Sequence, residues 1–137
     1  MTAKQPILDI RDRDVSADDI RAWAADGLTV ALKNCTLDGA DLASLDMPGW
    51  VFENCRLANV DFRSAGLEGA RFTGCGGAHA DFSGADLAEV EFFGCDFNNA
   101  SFVEAKANDT RFEGCKLTGA DFSRIRSLGL TFRETLL

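Results

Sequence analysis

The sequence predicts an all-β fold: a right-handed quadrilateral parallel β-helix of about five coils, closed at its N-terminal end by a short helix. Two periods in the 137 residues carry this prediction. Large apolar residues recur at nearly every fifth position from Leu32 to Leu137, and cysteines recur at every twentieth position from Cys35 to Cys115. We therefore divide the chain into an N-terminal strand and helix cap at residues 1–27 and a β-helix at residues 28–137.

The period of five matches neither a helix, which repeats every 3.6 residues, nor a strand, which repeats every two. It is typical of a chain that turns a corner every five residues, with two side chains pointing inward and three outward. A smaller apolar residue stands two positions before most of the large ones, as Ala80 does before Phe82. The position two after is Gly, Asn or Asp in 14 of the 21 cases from 34 to 134, and these residues tolerate positive φ.

The period of twenty follows from the first, because four corners close a square. Residues twenty apart should then stack directly over one another, at about the 4.8 Å spacing of neighbouring strands. Gly77 interrupts the large-residue series, which indicates a bulge or a kink. The predicted core contains Phe52, Phe62, Phe72, Phe82, Phe92, Phe102, Phe112 and Phe122, together with Cys35, Cys55, Cys75, Cys95 and Cys115.

The N-terminal segment has the signals of a short helix. Ser16 suits an N-cap, acidic residues follow it, and Gly27 suits the C-terminal end. We predict a helix at about residues 17–26 and a strand at residues 7–11. Ile20 and Trp23 would then cover the first coil, which otherwise exposes its core.

The C-terminal segment has no such cap, since the apolar register continues to the last residue. The pattern indicates either an end-to-end contact between two chains or a continuation in a longer protein. For a symmetric dimer, the predicted contact residues are Leu128, Leu130, Phe132, Leu136 and Leu137.

The repeated units identify a family resemblance. Ala40-Asp41-Leu42, Ala80-Asp81-Phe82, Ala85-Asp86-Leu87 and Ala120-Asp121-Phe122 resemble the A(D/N)LXX signature of pentapeptide repeat proteins. The resemblance covers roughly residues 28–137 and implies the square β-helix. It also implies a possible partner, because some family members resemble B-form DNA and bind DNA gyrase or topoisomerase IV. Those members, which also dimerise, inhibit the enzyme or protect it from quinolone antibiotics.

Charge and cysteine content limit the possible partners and compartments. The net charge of −8 disfavours direct binding to nucleic acid, whose phosphates need Lys and Arg, but it suits a basic protein surface. No apolar run is long enough to cross a bilayer, and the first fourteen residues lack the features of a secretory signal. Five cysteines, an odd number, fit reduced thiols, so we expect a cytoplasmic protein.

A column of aspartates is the main candidate for a partner-binding surface. Asp41, Asp61, Asp81 and Asp121 lie twenty or forty residues apart and share one outward face, with Ser101 completing the line. These carboxylates either hydrogen-bond to nearby backbone, which is the family's usual arrangement, or form a stripe of negative potential that imitates DNA, and both can hold. The full set of predicted partner-binding residues is Asp41, Asp61, Asp81, Asp121, Asp86, Glu89, Glu91 and Phe93.

No motif for catalysis, cofactor binding or metal binding is found. The cysteines lack the close C-x2-4-C spacing of structural zinc sites, and His79, the only histidine, has no predicted nucleophile beside it. A P-loop and a GxGxxG fingerprint are also missing from the sequence. These residues therefore favour a protein that is not an enzyme.

Three functions remain open at this point. The broadest is a binding module, an acidic rod that presents charged faces to a protein partner. A more specific version is a DNA-mimicking inhibitor or protector of DNA gyrase or topoisomerase IV, with a role in antibiotic resistance. The third is a structural adaptor or spacer in a larger assembly, which would dock through its N-terminal helix.

Overall fold

The computed structural model describes residues 7–137, and the first six residues of the predicted N-terminal cap lie outside them. The described part contains seven strands and one helix. In chain order they are β1 (Ile7–Arg11), α1 (Ala17–Ala25), β2 (Thr29–Lys33), β3 (Val51–Glu53), β4 (Arg71–Thr73), β5 (Glu91–Phe93), β6 (Arg111–Glu113) and β7 (Thr131–Arg133). All seven strands pair in parallel in the order β1 to β7, which confirms the predicted β-helix.

Residues twenty apart are partners throughout the coils. Phe52 pairs with Phe72, and Phe72 pairs with Phe92. The fold has about six turns rather than the predicted five, because β1 pairs with β2 in the same sheet and adds a turn at the N-terminal end. The interior is therefore a stack of layers, each built from one square coil.

The corners confirm the predicted turn chemistry. At every fifth position from Asn34 to Glu134 the backbone φ is positive, including non-glycine residues such as Ser44, His79 and Arg124. Residues that do not favour positive φ adopt it at these corners as well, because backbone hydrogen bonds between the coils hold each corner. Gly84, for example, donates from its backbone nitrogen to the carbonyl of Val103 at 2.9 Å.

The core contains two stacked columns of phenylalanine. Phe52, Phe72, Phe92 and Phe112 stack with ring centroids 4.5–4.9 Å apart, and the second column, Phe62 to Phe122, has spacings of 4.8–5.0 Å. Rings of the two columns meet edge to face, the geometry that aromatic quadrupoles favour. Seven of the eight predicted phenylalanines are fully buried. Phe122 is only partly buried, because no further coil covers the last turn.

Gly77 produces neither the bulge nor the kink that its gap indicated. The coils keep their register on both sides, with Arg56, Gly76 and Asp96 bridged in parallel. A Cβ on Gly77 would clash with the ring of Phe97, so that ring occupies the space of the missing side chain. Phe97 is fully buried and contacts Phe72, Phe82 and Phe92 edge to face. The ring of Phe97 thus fills space in two adjacent layers of the core.

The N-terminal helix begins and ends as the sequence predicts, within one residue. Ser16 is its N-cap, and its hydroxyl accepts a hydrogen bond from the backbone nitrogen of Asp19 at 3.1 Å. Gly27 follows the C-terminal end with φ of 70°. Ile20 is fully buried and Trp23 partly so, both against the core, so α1 covers the first coil. At nine residues with two acids in its first turn, α1 is too short and too polar to cross a membrane, and no other helix lies in residues 7–137.

Candidate partner-binding surface

The square cross-section gives the rod four outward faces. In the coil of residues 51–70, face 1 is formed by residues 51–54, face 2 by 56–59, face 3 by 61–64 and face 4 by 66–69. Residues twenty apart belong to the same face. Each face presents the residue before its large inward residue and the two residues after it, so outward charges stack in columns along the rod.

Charge is divided unequally among these faces. From residue 28 onward, face 1 carries four acids and four bases, and face 2 carries two of each. Faces 3 and 4 each carry five acids and two bases. The whole net charge of the β-helix therefore lies on two adjacent faces. The charged residues of face 3 are Asp41, Asp61, Arg63, Asp81, Glu104, Asp121 and Arg124, and those of face 4 are Asp46, Glu68, Asp86, Glu89, Lys106, Asp109 and Arg126.

The predicted aspartate column lies on face 3. Asp41, Asp61, Asp81, Ser101 and Asp121 form one continuous line of parallel bridges. Each aspartate accepts a hydrogen bond from the backbone nitrogen two residues later, at 2.8–3.2 Å. This turn uses one carboxylate oxygen of each residue and stabilises the corner that follows. The backbone role considered from the sequence is thus present at all four aspartates.

Two arginines offset the charge of this column. Arg63 donates two parallel hydrogen bonds to Asp61, from Nε to Oδ1 at 3.0 Å and from Nη2 to Oδ2 at 2.8 Å. Arg21, on helix α1, lies with Nη2 3.7 Å from Oδ2 of Asp41 and donates to the carbonyl oxygen of the same residue at 3.0 Å. The hydrogen bonds from Arg63 hold the pKa of the Asp61 carboxyl below its ordinary value. Bonds from Ser123 do the same for the pKa of Asp121. These two carboxylates are therefore charged at neutral pH.

Face 4 has no such compensation over its N-terminal part. Between Asp46 and Glu89 it carries four acids and no base. Asp86 resembles the face 3 column in accepting from the backbone nitrogen of Ala88 at 3.0 Å. Asp46 has Pro48 two residues later, whose nitrogen carries no hydrogen, and within residues 7–137 Asp46, Glu68 and Glu89 form no ion pair. This part of face 4 is a stripe of uncompensated carboxylates.

Two of the predicted partner-binding residues lie on face 1 instead. Glu91 lies with Oε1 3.7 Å from Nε of Arg71, so its charge is partly offset. Arg111 stacks on Glu91 along the same column, although the described residues contain no ion pair between them. Phe93 points outward as expected, but it is half-buried between Thr73 and Glu113 in the neighbouring strands. The structure therefore does not bring the predicted residues together on one surface: it distributes them over three faces.

The last coil exposes its apolar residues. Leu128, Leu136 and Leu137 are 80%, 61% and 69% exposed, and Phe132 is 37% exposed. Leu130 is partly buried. A cavity of about 280 Å³ opens at this end, lined mostly by Leu117, Phe122, Ile125, Leu130, Phe132 and Leu137. All five residues predicted as dimer contacts thus belong to the uncovered end of the rod or its rim.

The cysteines form a buried structural column. All five are free and buried, and the Sγ of Cys55, Cys75, Cys95 and Cys115 each donates to the carbonyl oxygen of the residue 23 positions earlier, at 3.2–3.3 Å. Burial raises the pKa of the Cys35 thiol. No group of three or more His, Cys, Asp or Glu in residues 7–137 is placed to hold a metal ion.

Two threonines donate in the same way as these cysteines, and the sequence patterns did not predict them. The hydroxyl of Thr110, fully buried, donates to the carbonyl of Leu87 at 2.7 Å. That of Thr135 donates to the carbonyl of Phe112 at 3.4 Å. Both contacts span 23 residues, as the cysteine contacts do. The period of twenty was the available signal, since Thr135 follows Cys115 by one coil.

Comparison with known proteins agrees with this architecture. The family model of the pentapeptide repeat region matches residues 27–95, and a second model, of eight copies of the pentapeptide repeat, matches residues 95–125. Together the two models cover well over half of the chain, which therefore belongs to the pentapeptide repeat family. No curated protein matches it.

Solved structures of the same fold include a pentapeptide repeat protein from the thylakoid lumen of Arabidopsis thaliana. It is 25% identical with a TM-score of 0.57, and the match covers 72% of the present chain but only 62% of the Arabidopsis protein. The plasmid-mediated fluoroquinolone resistance protein QnrB1, in a trypsin-treated R167E form, is 21% identical with a TM-score of 0.52. That match covers 94% of the present chain and 69% of QnrB1. At this identity the likeness to QnrB1 shows the fold alone.

Proposed function

We propose that the protein is a non-enzymatic protein-binding module that presents its acidic faces 3 and 4 to a basic surface of a protein partner. The observation that carries this proposal is the division of charge, since faces 1 and 2 are neutral and faces 3 and 4 hold the whole excess of acids. Complementary charge steers a partner toward such a surface and determines its orientation. Backbone hydrogen bonds between all coils fix the frame that carries these carboxylates, so little backbone conformational entropy is lost on binding.

Charge reversal on one face at a time tests the proposal. The probe is a fluorescein-labelled oligolysine peptide, followed by fluorescence anisotropy at low salt. The double variant Glu68→Lys/Glu89→Lys changes face 4, and Glu53→Lys/Glu113→Lys makes the same change of charge on face 1. We expect the face 4 variant to weaken binding about tenfold and the face 1 variant to weaken it about twofold. Equal weakening by the two variants would show that binding follows net charge and uses no particular face.

A more specific proposal is that the partner is DNA gyrase or topoisomerase IV, whose basic DNA-binding surface the acidic faces would occupy. It is supported by the uncompensated carboxylates of face 4 and by the fold shared with QnrB1, a fluoroquinolone resistance protein. Purified protein should then inhibit supercoiling by gyrase at low salt, and Glu68→Lys/Glu89→Lys should relieve the inhibition. Full supercoiling activity at a large molar excess of protein would exclude this partner.

We also propose that two copies meet end to end through the last coil. A second copy offers both apolar side chains for the open cavity and backbone groups for the free edge of β7, whereas α1 covers the opposite end. The proposal predicts a dimer in sedimentation equilibrium that dissociates when Leu128 and Leu136 are changed to serine. Leu28→Ser, which removes a partly exposed leucine at the other end, is the matched control. A wild-type protein that stays monomeric at high concentration would contradict this contact.

The cytoplasm remains the proposed compartment. Five buried thiols, all free, suit a reducing environment better than an oxidising one.

A further inference from the structure

The two acidic faces differ in how their carboxylates are partnered, and the difference centres on Arg63. It is the only base on face 3 between Asp41 and Glu104. Its guanidinium holds Asp61 through two hydrogen bonds, at 3.0 and 2.8 Å. It stands in the middle of the column, with Asp41 one coil below Asp61 and Asp81 one coil above. Its own positive charge interacts with both of those neighbours as well.

The position of Arg63 is determined by the backbone turn. The backbone nitrogen of Arg63 donates to Oδ1 of Asp61 at 3.0 Å, and its side chain returns to the same carboxylate. The backbone nitrogen and the guanidinium of Arg63 thus bind the same residue, Asp61. The other outward arginine of face 3, Arg124, lies three coils further along, outside the stretch from Asp41 to Asp81, and pairs with Glu104 at 3.4 Å.

We propose that Arg63 is a built-in counter-ion that weakens face 3 as a surface for basic partners, so that face 4 is the primary contact. This inference rests on the proposed function and specifies which of its two faces acts. Between Asp41 and Asp81, face 3 carries three acids and one base of its own, Arg63. Arg21 of helix α1 lies 3.7 Å from Asp41 but is shared with Asp18, to which it lies closer at 2.9 Å. The stretch from Asp46 to Glu89 on face 4 carries four acids and no base. A cationic segment therefore gains more by lying along face 4.

Mutant cycles with the oligolysine probe test the role of Arg63. Arg63→Gln should tighten binding about threefold to tenfold, and the matched control Arg124→Gln should tighten it less than twofold. Asp81→Asn is the second substitution of the cycle, because the amide oxygen of Asn still accepts the hydrogen bond from the backbone nitrogen of Ser83 and preserves the turn. In the wild-type background Asp81→Asn should change affinity less than twofold, and in the Arg63→Gln background it should weaken binding about fivefold.

Two results would overturn the inference. One is an equal effect of Arg63→Gln and Arg124→Gln, since only net charge would then matter. The other is an equal loss from Asp81→Asn in both backgrounds, since face 3 would then bind with Arg63 in place. Failure of the proposed function looks different, because Glu68→Lys/Glu89→Lys would then weaken binding no more than its face 1 control. Circular dichroism of each variant verifies that the β-helix is retained.

Discussion

Each end of the rod exposes the apolar core unless something covers it, and in the single chain only the N-terminal end is covered. At the N-terminal end, helix α1 places Ile20 fully inside the core and Trp23 partly so. At the C-terminal end the last coil leaves Phe132 and Leu137 exposed to 37% and 69%. A stack of identical coils buries a layer only where another layer covers it, so each end needs a cover that the repeat itself does not supply. Among the inward positions of the repeat, the burial of a side chain therefore depends on whether another layer covers its own.

The largest expected effect separates a middle layer from the last one. Phe82→Ala empties a fully buried site between two layers and should lower the free energy of unfolding by roughly 3–5 kcal/mol. Phe132→Ala removes the same side chain from the last coil, and in dilute, monomeric protein, where no second copy covers that coil, it should cost only about 1–2 kcal/mol. Urea denaturation followed by circular dichroism measures both. Equal losses would mean that the last coil is covered in solution, as a dimer requires.

A smaller effect is expected at the covered end. Ile20→Ala leaves a cavity between α1 and the first coil and should cost about 2–4 kcal/mol, because the site is fully buried. Leu137→Ala at the open end, where the side chain is mostly exposed in the single chain, is the counterpart and should change the stability of dilute, monomeric protein by less than about 0.5 kcal/mol. The same denaturation measurement applies. If Ile20→Ala is as mild as Leu137→Ala, then α1 does not act as a cap.

The smallest expected effect concerns the capping hydrogen bond. Ser16→Ala removes the acceptor for the backbone nitrogen of Asp19 and should cost about 1 kcal/mol. Ser123→Ala, an exposed serine in the last coil, is the control and should be close to neutral, because its hydroxyl only supplements a backbone hydrogen bond to Asp121. Thermal melts of the two variants provide the comparison. A loss in the control as large as that in Ser16→Ala would contradict the assigned role of the cap.

Much of the fold follows from local sequence patterns. The corners at every fifth residue and the inward position of Phe52 or Cys55 were predicted from the periods, as were the bounds of α1 from Ser16 and Gly27. The number of turns was underestimated, because β1 lies outside the five-residue pattern and joins the sheet only through its pairing with β2. The proposed partner-binding surface was predictable only as a set of acids. Their division among faces needed the square geometry, and their compensation needed the side-chain contacts.

The sequence by itself determined the path of the backbone, since a regular alternation of inward and turn-forming residues leaves one way to bury the apolar side chains. Only the tertiary structure decided which side chains fill the gaps in the core and which bases offset the outward carboxylates. The ring of Phe97 takes the space above Gly77, and Arg21 reaches from α1 to Asp41. Such contacts depend on the rotamers of long or bulky side chains that meet residues about twenty positions away, which no local pattern encodes.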